Sequence, residues 1–328
     1  MPSRPTIVVT DYKFADLALE EAAAAQAGCA LIGHHCETEA ELQAAVSGAD
    51  AVITQFARLS SPVIAAMTRA RAIVRYGIGV DNVDLDAARQ HGIPVANIPD
   101  YCIDEVADHT LSFILAMTRQ VVTHTTDLRA GQWRLAVPVG GMKVLRDQTV
   151  GLVGFGRIGR EVAARLVAFK CRVLVHDPMV SDAEILRAGA HSAPLQHLLS
   201  ASDIVSLHCP STAATRHIIG SAALATMKPG ALLVNVARGD LVDTTALVDA
   251  LQSGHLGAAA LDVFDPEPLP LDHALRVLPN LVIAPHIASV SVTAVQALRQ
   301  GAIARAIAAV RGQLPDNVVN QITLPRFP

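Results

Sequence analysis

Gly154, Gly156 and Gly159, then Asp177, then Arg238, Glu267 and His286 are the residues whose types and spacing could do chemistry. The glycines form G-x-G-x-x-G in "GLVGFGRIGREVAARL", directly after the strand-like "TVGLV" and at the start of the helix-like "RIGREVAARLVAF". Such a turn binds a dinucleotide for physical reasons: the first glycine permits a tight bend, the second lets backbone approach a pyrophosphate, and the third lets helix and strand pack closely. The N–H groups that open the helix, from Arg157 and Ile158 onward, then face the anion, and Arg157 is expected beside the pyrophosphate. The next strand, "CRVLVHD", ends in Asp177, at the distance where an acidic side chain meets a ribose 2′-hydroxyl. A carboxylate there repels a 2′-phosphate, so the pattern favours NAD over NADP; neither Arg157 nor Arg172 is placed as a 2′-phosphate clamp.

Nicotinamide dinucleotides exchange a hydride, and a site that reduces a ketone also needs a proton donor for the oxygen and an anchor for the substrate. "VNVARGDLVD" places Arg238 after a strand, "LDVFDPEP" places Glu267 in a proline-braced loop after another, and "VIAPHIAS" places His286 after a third. All three are carboxyl ends of strands, where open α/β sheets bind ligands. Histidine gives and takes a proton near neutral pH, a carboxylate partner orients it and favours its charged form, and arginine grips a carboxylate through two parallel hydrogen bonds.

The elements that must position these groups alternate. In the first hundred residues, "TIVVT", "ADAVITQ", "RAIVRYG" and "IPVANIP" read as strands, with "FADLALEEAAAAQAG", "TEAELQAAVSG" and "NVDLDAARQHG" as helices between them. A long helix begins near Ile103, and an irregular, glycine-containing stretch runs from His124 to Arg146. From Thr149 the alternation restarts through "TVGLVG", "CRVLVHD", "SDIVSLHCP", "GALLVNVA", "GAAALDVF" and "NLVIAPH". The expectation is an α/β protein with two parallel sheets, the domain crossing near Asp100. A last helix, roughly Val292 to Arg311, has no strand after it and is expected to return to the first domain, making that domain discontinuous.

Composition limits the partners. A chain of 328 residues, 51% of them hydrophobic, can bury a large core. The net charge is only -4 and its cations are scattered, and aromatic residues make up 3%; neither favours a nucleic-acid or anionic-membrane surface. No signal region opens the chain and no apolar run reaches a membrane span, so a cytoplasmic setting is expected. Cys29, Cys36, Cys102, Cys171 and Cys209 read as reduced thiols. "GHHCE" invites a metal-site reading through His34, His35 and Cys36, but neighbours on a strand point to opposite faces and no second cluster follows, so no metal is expected. Cys209 beside His208 reads as a strand end, not a nucleophile, because no separate base is signalled.

From "RYGIGVDNVDLDAARQHGIPVANIPDY" through "VGLVGFGRIG", "MKPGALLVNVARGDLVD" and "GAAALDVFDPEP" to "NLVIAPHIAS", the chain resembles the NAD-dependent D-isomer-specific 2-hydroxyacid dehydrogenase family. "PDYCIDEVADHTL" and "GQLPDNVVN" look nearest to its phosphoglycerate dehydrogenase-like and C-terminal-binding-protein-like members. A loop Arg, Glu or His taken singly is usually a surface group; here all three fall in order on the family's catalytic Arg238, Glu267 and His286. The resemblance implies that backbone around Ile78 and Gly79 receives the substrate carboxylate, that Thr110 lies near the cofactor phosphates, and that His208, Pro210, Thr215, Val236 and Asp262 line the cofactor. It implies two flavodoxin-like or Rossmann-like lobes with a cleft between them that closes about hinges near Asp100 and Ala288. Residues 1–100 with 292–328 would bind substrate, 101–291 would bind NAD, and the protein would be a homodimer through the cofactor lobe. The activity implied is NAD-dependent interconversion of a small D-2-hydroxy acid and its 2-oxo acid. 3-Phosphoglycerate, glyoxylate, hydroxypyruvate and D-lactate all fit the motifs in either direction, and no regulatory domain is expected after Pro328. The alternative is an NAD-sensing corepressor-like binding protein with little turnover. Trp133 reads equally as an anchor for an arm or as a substrate contact, and Arg58 and Arg75 as phosphate-side cations or as surface residues.

Overall fold

The computed structural model describes residues 4–327, which form two compact units: residues up to Tyr101 together with those from Ser291 on, and Cys102–Val290. In the first unit the strands are β1 (Thr6–Val9), β2 (Ala30–Gly33), β3 (Ala51–Thr54), β4 (Ile73–Arg75) and β5 (Val95–Ala96), all parallel, in the order β2-β1-β3-β4-β5. This is the flavodoxin-like order. Helices α1 (Ala18–Gln26), α2 (Glu39–Val46), α3 (Ser61–Ala66) and α4 (Leu85–Gln90) connect them. Period-two alternation turns Ile7, Val9, Ile53 and Val74 to one face and Val8, Val52, Ile73 and Val95 to the other, so both faces are apolar and both are covered. Local signals fix the helix starts: Thr38 and Glu41 form a reciprocal capping box at α2, and the Asp84 carboxylate accepts the Ala87 N–H at α4.

The second unit holds helices α5 (Ile103–Thr118) and α6 (Val121–Arg129), then strands β6 (Thr149–Val153), β7 (Arg172–His176), β8 (His191–Ser192), β9 (Ile204–Leu207), β10 (Ala231–Asn235), β11 (Leu256–Leu261) and β12 (Leu281–Ile283). Their order is β12-β11-β10-β9-β6-β7-β8, again all parallel. Helices α7 (Arg157–Ala168), α8 (Asp182–Arg187), α9 (Leu195–Ala201), α10 (Ser221–Thr226) and α11 (Thr244–Gln252) link the strands. The strand order reverses between β6 and β9, and such a switch point opens a crevice at the carboxyl ends of the strands. Helix α12 (Val292–Val310), capped by the Ser291 hydroxyl on the Ala294 N–H, belongs to the first unit. Its Leu298, Ala302, Ile303 and Ala306 pack with Ile7, Ile53 and Tyr76. Arg299 binds the fully buried Glu20 through two short hydrogen bonds of 2.9 and 2.6 Å, and Glu20 also accepts the Tyr76 hydroxyl at 3.0 Å.

Three sequence readings change. The stretch after His124 is not irregular throughout, because α6 runs from Val121 to Arg129 before two short 3-10 turns. The two-residue β8, the helix α3 and the edge strand β2 carry too little periodic pattern to announce themselves. His34, His35 and Cys36 lie past the end of β2, where the His35 ring packs on Tyr12.

Candidate active site

The glycine turn sits between β6 and α7, at the switch point of the second sheet. Gly154 has φ 101°, and a Cβ there would lie 2.5 Å from the Cys209 nitrogen, so the segment that follows β9 runs too close for any side chain. At Gly159 a Cβ would meet the Gly154 carbonyl oxygen at 2.5 Å, the close helix-to-strand packing expected of the third glycine. Gly156 differs: it caps α7 with φ -70°, which any residue adopts, and a Cβ there would meet no atom within 4 Å. Neither backbone conformation nor packing requires glycine at 156. Bare backbone facing open space at a helix N-terminus is the cradle a pyrophosphate fits, with Arg157 exposed and Ile158 half-buried in the first turn. Asp177 follows β7 directly and accepts the Phe155 N–H at 2.7 Å and the Met179 N–H at 2.9 Å, so its carboxylate also braces the turn.

His208 and Cys209 close the other side of the switch point. Burial pushes the His208 imidazole down to about 4, keeping it neutral, and its Nε2 lies 2.8 Å from the Ser206 hydroxyl. Burial pushes the Cys209 thiol up to about 11, which removes it as a thiolate nucleophile near neutral pH. The Thr215 hydroxyl donates to the exposed Pro210 carbonyl at 2.6 Å and accepts the Thr212 N–H, fixing the loop that follows. Val236 lies just after β10 and is buried. Thr110 is fully buried on α5 and donates its hydroxyl to the Val106 carbonyl, so that side chain faces its own helix. Ile78 and Gly79 lie after β4 in the first unit.

Arg238, Glu267 and His286 follow β10, β11 and β12, neighbours in the sheet. Asn235, buried at the end of β10, donates through Nδ2 to the Arg238 carbonyl at 2.7 Å and accepts the Ala237 N–H, closing a turn that presents Arg238. At Gly239 a Cβ would overlap the Phe264 carbonyl carbon at 1.9 Å, so the Arg238 loop packs directly on the loop leading to Glu267. Glu267 binds at both ends: Oε1 accepts the Phe264 N–H at 2.7 Å and Oε2 lies 2.8 Å from His286 Nδ1. A carboxylate can only accept, so Nδ1 carries the proton and proton transfer falls to Nε2. Burial pushes the Glu267 carboxyl up, but the bond to His286, the His286 charge, the Phe264 N–H and the Arg238 guanidinium outweigh it and hold the group below the usual carboxylate range. His286 has φ 56°, an uncommon conformation for a side-chain-bearing residue. Asp262 holds it there. That carboxylate, fully buried, accepts the Ile287 and Ala288 N–H groups at 2.8 Å each, and the His286 N–H donates to its backbone carbonyl. Burial raises the Asp262 carboxyl despite these bonds, and His109 Nε2 lies 3.8 Å away.

Asn235, Gly239 and the bracing roles of Asp177 and Asp262 escaped the sequence reading. An Asn at a strand end before a catalytic loop was the one visible signal. Among the described residues no group of three or more His, Cys, Asp or Glu side chains converges as metal ligands would, and no helix is long and apolar enough to cross a membrane.

The family model for the NAD binding domain of D-isomer specific 2-hydroxyacid dehydrogenases matches residues 111–288, within the unit that carries the glycine turn. The chain is 42% identical over 248 residues to D-3-phosphoglycerate dehydrogenase of Mycobacterium leprae, covering 75% of this chain and 46% of that protein, about half its length. It is 39% identical over 275 residues to glyoxylate reductase of Thermofilum pendens, covering 81% of this chain and 80% of the relative. Among solved structures, an NADPH-dependent glyoxylate/hydroxypyruvate reductase of Sinorhizobium meliloti, in complex with NADP and malonate, superposes with a TM-score of 0.88 at 29% identity, covering 99% of this chain and all of that one. With the glycine turn and the Arg, Glu and His strand ends in place, these matches show that the chain belongs to the D-isomer-specific 2-hydroxyacid dehydrogenase family.

Proposed function

We propose that the protein is an oxidoreductase that interconverts a small D-2-hydroxy acid and its 2-oxo acid with NAD. The observation that carries this reading is the 2.8 Å pair of His286 Nδ1 and Glu267 Oε2 on adjacent strand ends, beside Arg238. Gly154, Gly156 and Gly159 with Arg157 and Ile158 would hold the pyrophosphate, Asp177 the ribose, and His208, Pro210, Thr215, Val236 and Asp262 would line the remainder, with Thr110 beneath. When bound, the nicotinamide ring supplies or accepts the hydride. The protein's own residues do the rest. Protonated His286 gives its Nε2 proton to the carbonyl oxygen, or takes it from the hydroxyl in reverse. Glu267 keeps that imidazole oriented, its Oε2 accepting from Nδ1. Arg238 binds the carboxylate in a planar two-point grip and polarises the carbonyl, while the N–H groups of Ile78 and Gly79 also receive a carboxylate. The retention of Arg238, Glu267 and His286 together argues against a protein that only senses NAD.

NAD is the preferred cofactor on this reading, because Asp177 would repel a 2′-phosphate. The exposed Val121, Val122, Leu128 and Trp133 support a homodimer through the second unit. A cytoplasmic setting and the absence of nucleic-acid partners belong to the same proposal. Glyoxylate, hydroxypyruvate, phosphohydroxypyruvate and pyruvate, each offered with NADH, test it. Oxidation of NADH with at least one is expected; NADH binding without oxidation by any would leave an NAD-responsive binding protein.

A further inference from the structure

Two successive peptide units after β4 are held from one side. The Gly77 carbonyl accepts the Ile98 N–H at 3.0 Å, and the Ile78 carbonyl accepts Asn97 Nδ2 at 2.6 Å. Neither peptide is cis, so in each plane the N–H points opposite to the carbonyl. Fixing the Gly77 oxygen therefore fixes the Ile78 N–H, and fixing the Ile78 oxygen fixes the Gly79 N–H, both directed away from Asn97 and Ile98. Those two N–H groups find no acceptor among the described residues. Adjacent N–H groups aimed together and left unpaired make an anion receptor.

The two supports differ in kind. The first is backbone, and only proline at position 98 would remove its donor. The second is a single side chain, at a plane that ends in Gly79 and so has little resistance of its own to rotation. Gly77 cannot stiffen the turn by exchange, since its φ is 148° and a Cβ would overlap the Arg75 guanidinium. Asn97 is itself well placed to act as a strut: it is 8% exposed, follows β5 directly, and β5 is gripped by the C-terminal segment through the Val319 N–H on Val95 and the Asn320 side chain on Val95 and Ile93.

We propose that Asn97 is a positioning residue whose bond to the Ile78 carbonyl aims the Gly79 N–H at the substrate carboxylate. This rests on the dehydrogenase reading for the identity of the anion. The test compares the unsubstituted protein with Asn97→Ala and with the isosteric Asn97→Asp, whose carboxylate cannot donate to a carbonyl; should Asn97→Ala not fold, Asn97→Asp decides. Oxamate, a 2-oxo acid mimic, is titrated into each protein saturated with NADH, and KM and kcat are read with the best 2-oxo acid. Loss of one aimed donor should weaken oxamate and raise KM about tenfold, with kcat within about threefold and NADH affinity unchanged. A merely structural role would lower kcat or NADH affinity while KM rises, and that result would overturn the proposal. Oxamate binding equal in all three proteins, or absent from the unsubstituted one, overturns the proposal. Failure of the dehydrogenase reading shows itself separately, as NADH bound but oxidised by no 2-oxo acid.

Discussion

Gly156 and Gly159 stand three residues apart in one turn, yet replacing each by alanine should do opposite things. At Gly159 the new methyl would lie 2.5 Å from the Gly154 carbonyl oxygen and 3.2 Å from its carbon, both backbone, so β6 and α7 must separate. Overpacking of that kind costs about 1–3 kcal/mol. For a unit of this size the melting temperature should fall by roughly 2–12 °C. At Gly156 the methyl meets nothing within 4 Å and φ is -70°, leaving only the exchange of one N-cap residue for a poorer one. That costs about 0.5 kcal/mol, or roughly 1–2 °C. Its effect on cofactor should nevertheless be large, since the methyl fills the space a pyrophosphate needs: NADH affinity should drop at least about tenfold, or 1.4 kcal/mol. Thermal melts without cofactor, paired with NADH fluorescence titrations, read both quantities. A Gly156→Ala protein that binds NADH within about twofold of the parent would refute the reasoning, because glycine there would then serve no phosphate.

Asp177→Ser should lower the ratio of kcat/KM for NADH over NADPH by at least about tenfold. The ratio is the diagnostic, because lost bracing of the Phe155 N–H affects both cofactors alike; an unchanged ratio would make Asp177 a turn residue only. Arg238→Lys should reduce kcat/KM about 10²-fold although the charge is kept, since an ammonium lacks the planar fork; near-native kinetics would exclude Arg238 as the anchor. Glu267 is held below its ordinary value, so it contributes stability above the unfolded value near pH 4.3, a contribution lost as pH falls through the folded value. The acid limb of kcat/KM for 2-oxo acid reduction should accordingly lie on the acid side of an ordinary glutamate, about 4.3, and a limb centred near neutrality would show that Glu267 does not stay ionised.

Much of this was legible because parallel strands buried on both faces are continuous apolar runs, and "TVGLV", "RVLVH" and "DIVSL" have no other use. The glycine turn and Asp177 showed through spacing, whereas Arg238, Glu267 and His286 stood out by type at strand ends and took their roles from the family resemblance. β2 did not, since an edge strand half open to solvent needs no such run. The supports of the site were hidden for a different reason. Asp262 binds N–H groups of Ile287 and Ala288, and Asn97 a carbonyl of Ile78, contacts between segments that only the folded sheet brings together. Gly239 had no special φ to suggest it, and its need arises from a neighbouring loop's backbone.

The central claim is that His286, clamped by Glu267, is the proton donor. Its most direct test is His286→Gln, assayed for NADH oxidation with the best 2-oxo acid and for NADH binding in the same preparation. A fall in kcat of about 10² to 10⁴ with NADH affinity unchanged is expected, the usual contribution of a positioned general acid. Turnover close to that of the unsubstituted protein, or lost NADH binding with turnover retained at saturation, would contradict it.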